Sequence, residues 1–195
     1  GAPVGILSVV HGDREMVEAI LAHDAIKAVS FVGSSEVAQH LYATAAAAGK
    51  RVQAMGGAKN HGLVLPDADL DQAVTGIVGA AFGSAGERCM ALPVVVAIGQ
   101  QPAVALRERL VAAIRQLRVG AADDPDVDYG PIVTAAHKLR IERHIALGVA
   151  EGAQLVVDGR GLKVPGREGG FFLGPTLFDQ VRPDMRSYQE EIFGP

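Results

Sequence analysis

The stretch AVSFVGSSEVAQHLYATAAAA, Ala28–Ala48, changes its periodicity partway along. Ala28–Val32 is a short apolar run with β-branched residues, the pattern of a buried strand. Gly33, Ser34 and Ser35 break that run, and Ser35 is placed to cap a helix running through the alanine-rich segment to about Ala48. Arg51–Ala54 and Leu63–Leu65 read as further strands. Upstream, Val4–Val10 reads as another buried strand, closed by the turn His11-Gly12-Asp13. Arg14–Ala22 then carries Met16, Val17, Ile20 and Leu21 at helical spacing. Strand and helix alternate, so the expected fold is α/β, a parallel sheet with helices on both faces.

The alternation continues downstream. Pro66-Asp67-Ala68-Asp69 is a turn and helix-cap signal, and Leu70, Val74, Ile77, Val78 and Ala81 follow with helical period. Pro93–Ile98 is a buried strand, Pro102–Leu117 an amphipathic helix with Arg107, Arg109 and Arg115 turned to water, and Thr134 to about Ala150 a helix. Gln154–Val157 is a strand, and the glycine-rich Gly159–Gly170 reads as a mobile loop.

Composition narrows the function. Of the 195 residues, 49% are hydrophobic and 21% charged, the balance of a soluble protein with a sizeable core. Aromatics are only 5% and Trp is absent, so the core is expected to be aliphatic. A net charge of −4 gives no electrostatic reason to expect nucleic acid or an anionic membrane as partner. A single cysteine excludes an internal disulfide and suits a reducing cytoplasm. No signal peptide or membrane-spanning segment is legible, and the abrupt ends read as those of a piece of a longer protein.

That cysteine, Cys89, lies in GERCMAL, Gly86–Leu92, behind the small residues Gly83, Ser84, Ala85 and Gly86 and ahead of a strand. A free cysteine often does no more than fill space in a core. Here the irregular backbone and a position at a connection point towards chemistry. The adjacent Arg88 would either stabilise a thiolate or hold an anionic substrate. In FVGSSEV, Phe31–Val37, a strand end meets a helix N-terminus, whose exposed N–H groups suit a phosphate; a plain strand–turn–helix link has the same pattern. The histidines, His137 and His144 among them, have no metal-binding spacing and no obvious carboxylate partner, and are expected in surface or cap roles. Asp123, Asp124, Asp126 and Asp128 lack the EF-hand glycine and closing glutamate and read as a solvated loop; no metal is expected.

FVGSSEV, QAMGGAKNH with GLVLPDADLD after it, GERCMAL and the closing EEIFGP occur in that order. Together they resemble the aldehyde dehydrogenase superfamily, from end to end of the chain. Within it, GAKNH and Arg-Cys-Met-Ala are most similar to the CoA-acylating methylmalonate-semialdehyde dehydrogenases. The resemblance implies an internal or C-terminal fragment, with residues 1–55 the back part of an NAD-binding domain and residues 56–195 an incomplete catalytic domain. It implies Cys89 as the nucleophile and Arg88 as the group that holds the substrate carboxylate. Gly33 and Ser34 would meet the NAD pyrophosphate and Gly56 the nicotinamide end, while Glu191 would bind a cofactor ribose with Phe193 packed nearby.

Met55 stands where hydrolytic relatives carry a glutamate general base. A thioether cannot accept a proton at neutral pH, and such groups contribute roughly 10²–10⁴-fold in rate. Transfer to coenzyme A is therefore expected over hydrolysis, since a thiol is already partly ionised at neutral pH. The implied reaction is NAD-dependent oxidation of malonate or methylmalonate semialdehyde to acetyl- or propionyl-CoA with loss of CO₂. The implied parent is a homo-oligomer, a dimer or tetramer, and the isolated chain is expected to be inactive because the family's oxyanion asparagine lies outside it. A hydrolytic aldehyde dehydrogenase and a non-enzymatic α/β pseudoenzyme are the competing readings.

Overall fold

In the computed structural model, which describes residues 1–195, the chain divides into two compact units, Gly1–Gly57 and Ala58–Pro195. The first is built from α1 (Arg14–Ala22), β1 (Ala28–Val32), α2 (Ser35–Ala47) and β2 (Arg51–Met55). The strands pair in parallel, Ala28 opposite Arg51 through Val32 opposite Met55. Val29, Phe31, Val52 and Ala54 pack beneath Leu21, Leu41 and Ala45 of the two helices. Alternate residues of both strands stand exposed, Val32 and Met55 among them, so the helices cover one face of this pair. Asp13 caps α1 by accepting from the Glu15 N–H. The Lys50 ammonium joins the end of α1 to the start of β2, donating to the carbonyls of His23 at 2.6 Å and Ile26 at 2.8 Å.

Two expectations fail in this unit. Val4–Val10 forms no strand, and Val4, Ile6, Leu7, Val9 and Val10 are all exposed. An apolar β-branched run records an appetite for burial, but a strand exists only by pairing, and no strand of this chain pairs with it. Ser35 is not the cap of α2: Ser34 occupies that position without a side-chain cap bond, and Ser35 Oγ accepts from the Gly57 N–H at 3.1 Å.

The second unit contains β3 (His61–Val64), α3 (Leu70–Phe82), β4 (Val94–Ala97), α4 (Gln100–Ile114), α5 (Ala135–Ala150), β5 (Gln154–Val157), β6 (Leu177–Asp179) and α6 (Arg186–Gln189). β3 and β4 pair in parallel, whereas β5 and β6 are antiparallel, a departure from an all-parallel sheet. Asp69 caps α3 through the N–H groups of Asp71 and Gln72, and Thr134 caps α5 through that of His137. The core joins Ile77 and Phe82 of α3, Leu106, Leu110 and Ile114 of α4, and Ile141 and Ile145 of α5. It is not purely aliphatic. Tyr129 is buried with its hydroxyl donating to the Leu173 carbonyl at 3.1 Å, and burial pushes that hydroxyl far above the ordinary phenol range. No helix is long and apolar enough to cross a membrane.

Candidate active site

At the carboxyl ends of β1 and β2, three sequence-predicted residues come together. The Gly33 N–H donates to the Met55 carbonyl at 3.1 Å, closing the turn that delivers the chain into α2. Because Ser34 makes no side-chain cap bond, the first-turn N–H groups of α2 are left for water or an anion. A Cβ on Gly56 would lie 2.7 Å from Ser35 Oγ, so only glycine lets the two turns close on one another. This is where open parallel sheets take phosphate-bearing ligands, and the unclaimed amides fit a pyrophosphate. Met55 ends β2 and is 50% exposed.

In the second unit, Cys89 follows an unusual piece of backbone. Ser84, Ala85 and Gly86 all have left-handed conformations, with φ of 55°, 55° and 67°. For a residue with a Cβ that conformation costs about 1–2 kcal/mol, so tertiary contacts must hold the turn. Two do so visibly. Ala85 is buried, and Gly86 lies so close to Gly194 that a Cβ would overlap the Gly194 carbonyl oxygen. Beyond the turn, Cys89 is exposed and its carbonyl accepts from Asn60 Nδ2 at 3.0 Å; the same amide donates to the Ala91 carbonyl at 2.8 Å. Asn60 thus fastens the backbone at Cys89 and just beyond it. The Arg88 guanidinium lies over Gly83, where a Cβ would come within 2.6 Å of it, and has no ion-pair or hydrogen-bond partner in the chain. An unpaired cation beside an open thiol can take an anionic aldehyde.

Glu191 and Phe193 lie on the irregular segment that ends the chain, and polar side chains replace a regular ladder in holding it. The Lys59 ammonium donates to the carbonyls of Ser187 at 2.9 Å and Glu190 at 2.7 Å. Burial pushes its pKa below the usual lysine range, against the opposing pull of Glu191 and Glu190. The Ala58 N–H donates to a Glu191 carboxylate oxygen at 3.3 Å. Arg140 donates to the Ile192 carbonyl at 3.0 Å, and His137 contacts the Phe193 carbonyl at 2.7 Å. Phe193 itself has φ of 59°.

Arg88, Cys89, Asn60, Glu191 and Phe193 all line one cleft of about 560 Å³, whose floor is the apolar core of the unit. Of the predicted site, Cys89, Arg88, Glu191 and Phe193 therefore meet within the second unit, and Gly33, Ser34 and Gly56 meet within the first.

Sequence reasoning missed Lys59, Asn60, Glu87, His137 and Arg140 as structural parts of this site. The signal for two of them was present: Lys59 and Asn60 are the polar members of GAKNH. The histidine reading also needs correction. His40 lies 2.9 Å from Glu18, His137 3.3 Å from Glu87 and His144 3.7 Å from Glu190, each carboxylate remote in sequence. His144 is buried, and burial holds its pKa below the ordinary imidazole value. In the acidic loop, Asp123 pairs with Arg167 at 2.8 Å and Asp128 accepts from the Arg118 N–H at 2.7 Å.

Comparison with known proteins agrees with this geometry. The model of the aldehyde dehydrogenase family matches residues 1–195. Across all 195 residues the chain is 55% identical to the malonate-semialdehyde dehydrogenase of Pseudomonas aeruginosa, covering 39% of it. It is 50% identical, again along its whole length, to the mitochondrial acylating methylmalonate-semialdehyde dehydrogenase of Arabidopsis thaliana, covering 32% of that protein. A Sinorhizobium meliloti protein crystallised with NAD, and assigned as a methylmalonate-semialdehyde dehydrogenase, superposes with a TM-score of 0.96 at 53% identity, over 100% of this chain and 40% of that one. The chain thus spans about 40% or less of the length of these relatives. A match that runs from first residue to last, on a fold that leaves its one thiol open in a cleft, means that this chain belongs to the aldehyde dehydrogenase family.

Proposed function

We propose that the full-length protein containing this chain oxidises malonate or methylmalonate semialdehyde and passes the acyl group to coenzyme A, with loss of CO₂. The observation that carries this reading is the exposed Cys89 beside the unpaired Arg88 in one cleft. The names of the similar proteins support the choice of substrate.

The Cys89 thiolate attacks the aldehyde carbon and forms a hemithioacetal. Its backbone N–H, which has no acceptor in the chain, is available to the oxyanion. We assign Gly33, Ser34 and Gly56 of the first unit, and Glu191 and Phe193 of the second, to holding NAD, which when bound would supply the hydride acceptor for oxidation to the thioester. Arg88 holds the substrate carboxylate. When the bond between that carboxylate and the α-carbon breaks, CO₂ leaves. The electron pair passes into the thioester carbonyl as an enolate, and the α-carbon then takes a proton. The thiolate of coenzyme A attacks the remaining thioester, giving acyl-CoA and freeing Cys89. With Met55 in place of a basic carboxylate, water is a poor competitor for that last step.

In this reading residues 1–55 belong to the NAD-binding domain and residues 56–195 to the catalytic domain. The protein works in the cytoplasm as a homo-oligomer, and the isolated chain has no useful dehydrogenase activity. The test is an assay of the full-length protein with malonate semialdehyde and NAD⁺, with and without coenzyme A. NADH accompanied by stoichiometric acetyl-CoA is expected. Equal turnover without coenzyme A, yielding free acid, would indicate the hydrolytic alternative. No NADH under either condition would indicate a non-enzymatic protein.

A further inference from the structure

His137, in the first turn of α5, contacts Phe193, which lines the cleft, and Glu87, two residues before Cys89, and plays no part in the chemistry above. Its Nδ1 lies 3.3 Å from Arg140 Nε, which can only donate. Nδ1 is therefore the acceptor, and Nε2 carries the ring proton. That Nε2–H donates to the Phe193 carbonyl at 2.7 Å and faces Glu87 Oε1 at 3.3 Å. Both side chains are well covered, 18% exposed for His137 and 8% for Glu87. Glu87 also accepts from the Val133 N–H at 3.5 Å, which ties the residue two before the thiol to the approach to α5. Arg140 contributes from the same helix through its bond to the Ile192 carbonyl at 3.0 Å. Phe193 holds its left-handed backbone while its ring lies against the imidazole, with centroids 6.3 Å apart. Gly86 and Gly194 close a second contact between the same two segments.

We infer that His137 is a positioning residue that locks the Glu87–Cys89 loop to the Glu191–Phe193 segment, so that thiol and cofactor-holding residues are set together. This rests on the proposed role of Glu191 and Phe193 in holding NAD. The imidazole has the reach to bond one segment while facing the other, and its tautomer is fixed by Arg140. Burial raises the Glu87 pKa, with the Val133 N–H and His137 pulling the other way.

The test uses the full-length protein and two polar variants. His137→Gln keeps a donor near the position of Nε2; His137→Asn withdraws it. NAD⁺ binding is measured by calorimetry, which needs no turnover, alongside kcat, KM and the thermal midpoint. His137→Asn is expected to weaken NAD⁺ binding on the order of tenfold, the size of one lost buried hydrogen bond. Its kcat should stay within about threefold, and His137→Gln should recover near-wild-type affinity. A merely structural role would shift thermal midpoints while leaving the NAD⁺ dissociation constant unchanged in both variants, and that result would overturn the proposal. Should wild type itself fail to bind NAD⁺, the underlying reading of Glu191 and Phe193 fails first. Should wild type bind NAD⁺ without oxidising the aldehyde, only the proposed reaction fails, and the affinity comparison still decides on His137.

Discussion

Gly33–Ser34 in the first unit and Gly83–Gly86 in the second are both runs of small residues leading into a proposed functional position. They are built in opposite ways. The first is a relaxed strand-to-helix link, closed by one backbone bond from Gly33 to Met55 and offering a ligand main-chain N–H groups beside the exposed Ser34 hydroxyl. The second is a left-handed turn with two non-glycine residues in a costly conformation. It is held by Gly194 and followed by a loop that Asn60 fastens. A site that binds through backbone amides can be encoded locally. A site that aims a reactive side chain draws its support from residues far along the chain.

The sharpest way to break this contrast is to exchange the functional atoms. Cys89→Ser in the full-length protein is expected to lower the NADH-forming rate by at least about 10³-fold. Ser34→Ala, where the backbone does the binding, should stay within about fivefold. Equal losses in the same steady-state assay would erase the distinction. Next in size are the glycines. Gly86→Ala places a Cβ on the Gly194 carbonyl at positive φ and is expected to cost about 3 kcal/mol. Gly33→Ala presses only on the movable end of the Phe31 ring and should cost about 1 kcal/mol. Thermal midpoints of the two variants, read side by side, test the ordering.

A smaller effect sharpens the picture through pH. Burial raises the Glu87 carboxyl above its ordinary value of 4.5, so the folded protein binds this proton more tightly than the unfolded chain. The stabilisation it brings is complete below that ordinary value and is lost as pH rises through the raised one. The thermal midpoint of wild type, relative to Glu87→Gln, should therefore fall as pH rises above the ordinary carboxyl value of 4.5. A difference that stays flat as pH rises would mean the carboxyl is not perturbed by its surroundings. Smallest of all, Ser35→Ala loses only the bond from the Gly57 N–H and should destabilise by about 1 kcal/mol or less, seen as a small midpoint shift.

How much was legible in the sequence follows the same division. α1 (Arg14–Ala22), β1 (Ala28–Val32) and β5 (Gln154–Val157) appear with the bounds their periodicity indicates, because local pattern and tertiary burial agree there. Val4–Val10 had an equally clear pattern and no partner, since pairing is a property of two segments and a pattern belongs to one. β6 and α6 escaped notice for a related reason: at three and four residues they are too short to show a period. Cys89 and Arg88 could be picked out by type and position. Asn60 and Lys59 stand in the legible motif GAKNH, but what they and His137 hold was not legible, because these residues lie 29 to 131 residues from the atoms they contact.

The central claim is that Cys89 carries the acyl group between oxidation and transfer. The direct measurement is mass spectrometry of the Cys89 peptide after the full-length protein is quenched with malonate semialdehyde and NAD⁺ in the absence of coenzyme A. The expected result is an acetyl thioester on Cys89 that disappears when coenzyme A is added before quenching, with acetyl-CoA appearing in its place. NADH formation with Cys89 unmodified throughout, and acid released at the same rate whether or not coenzyme A is present, would contradict it.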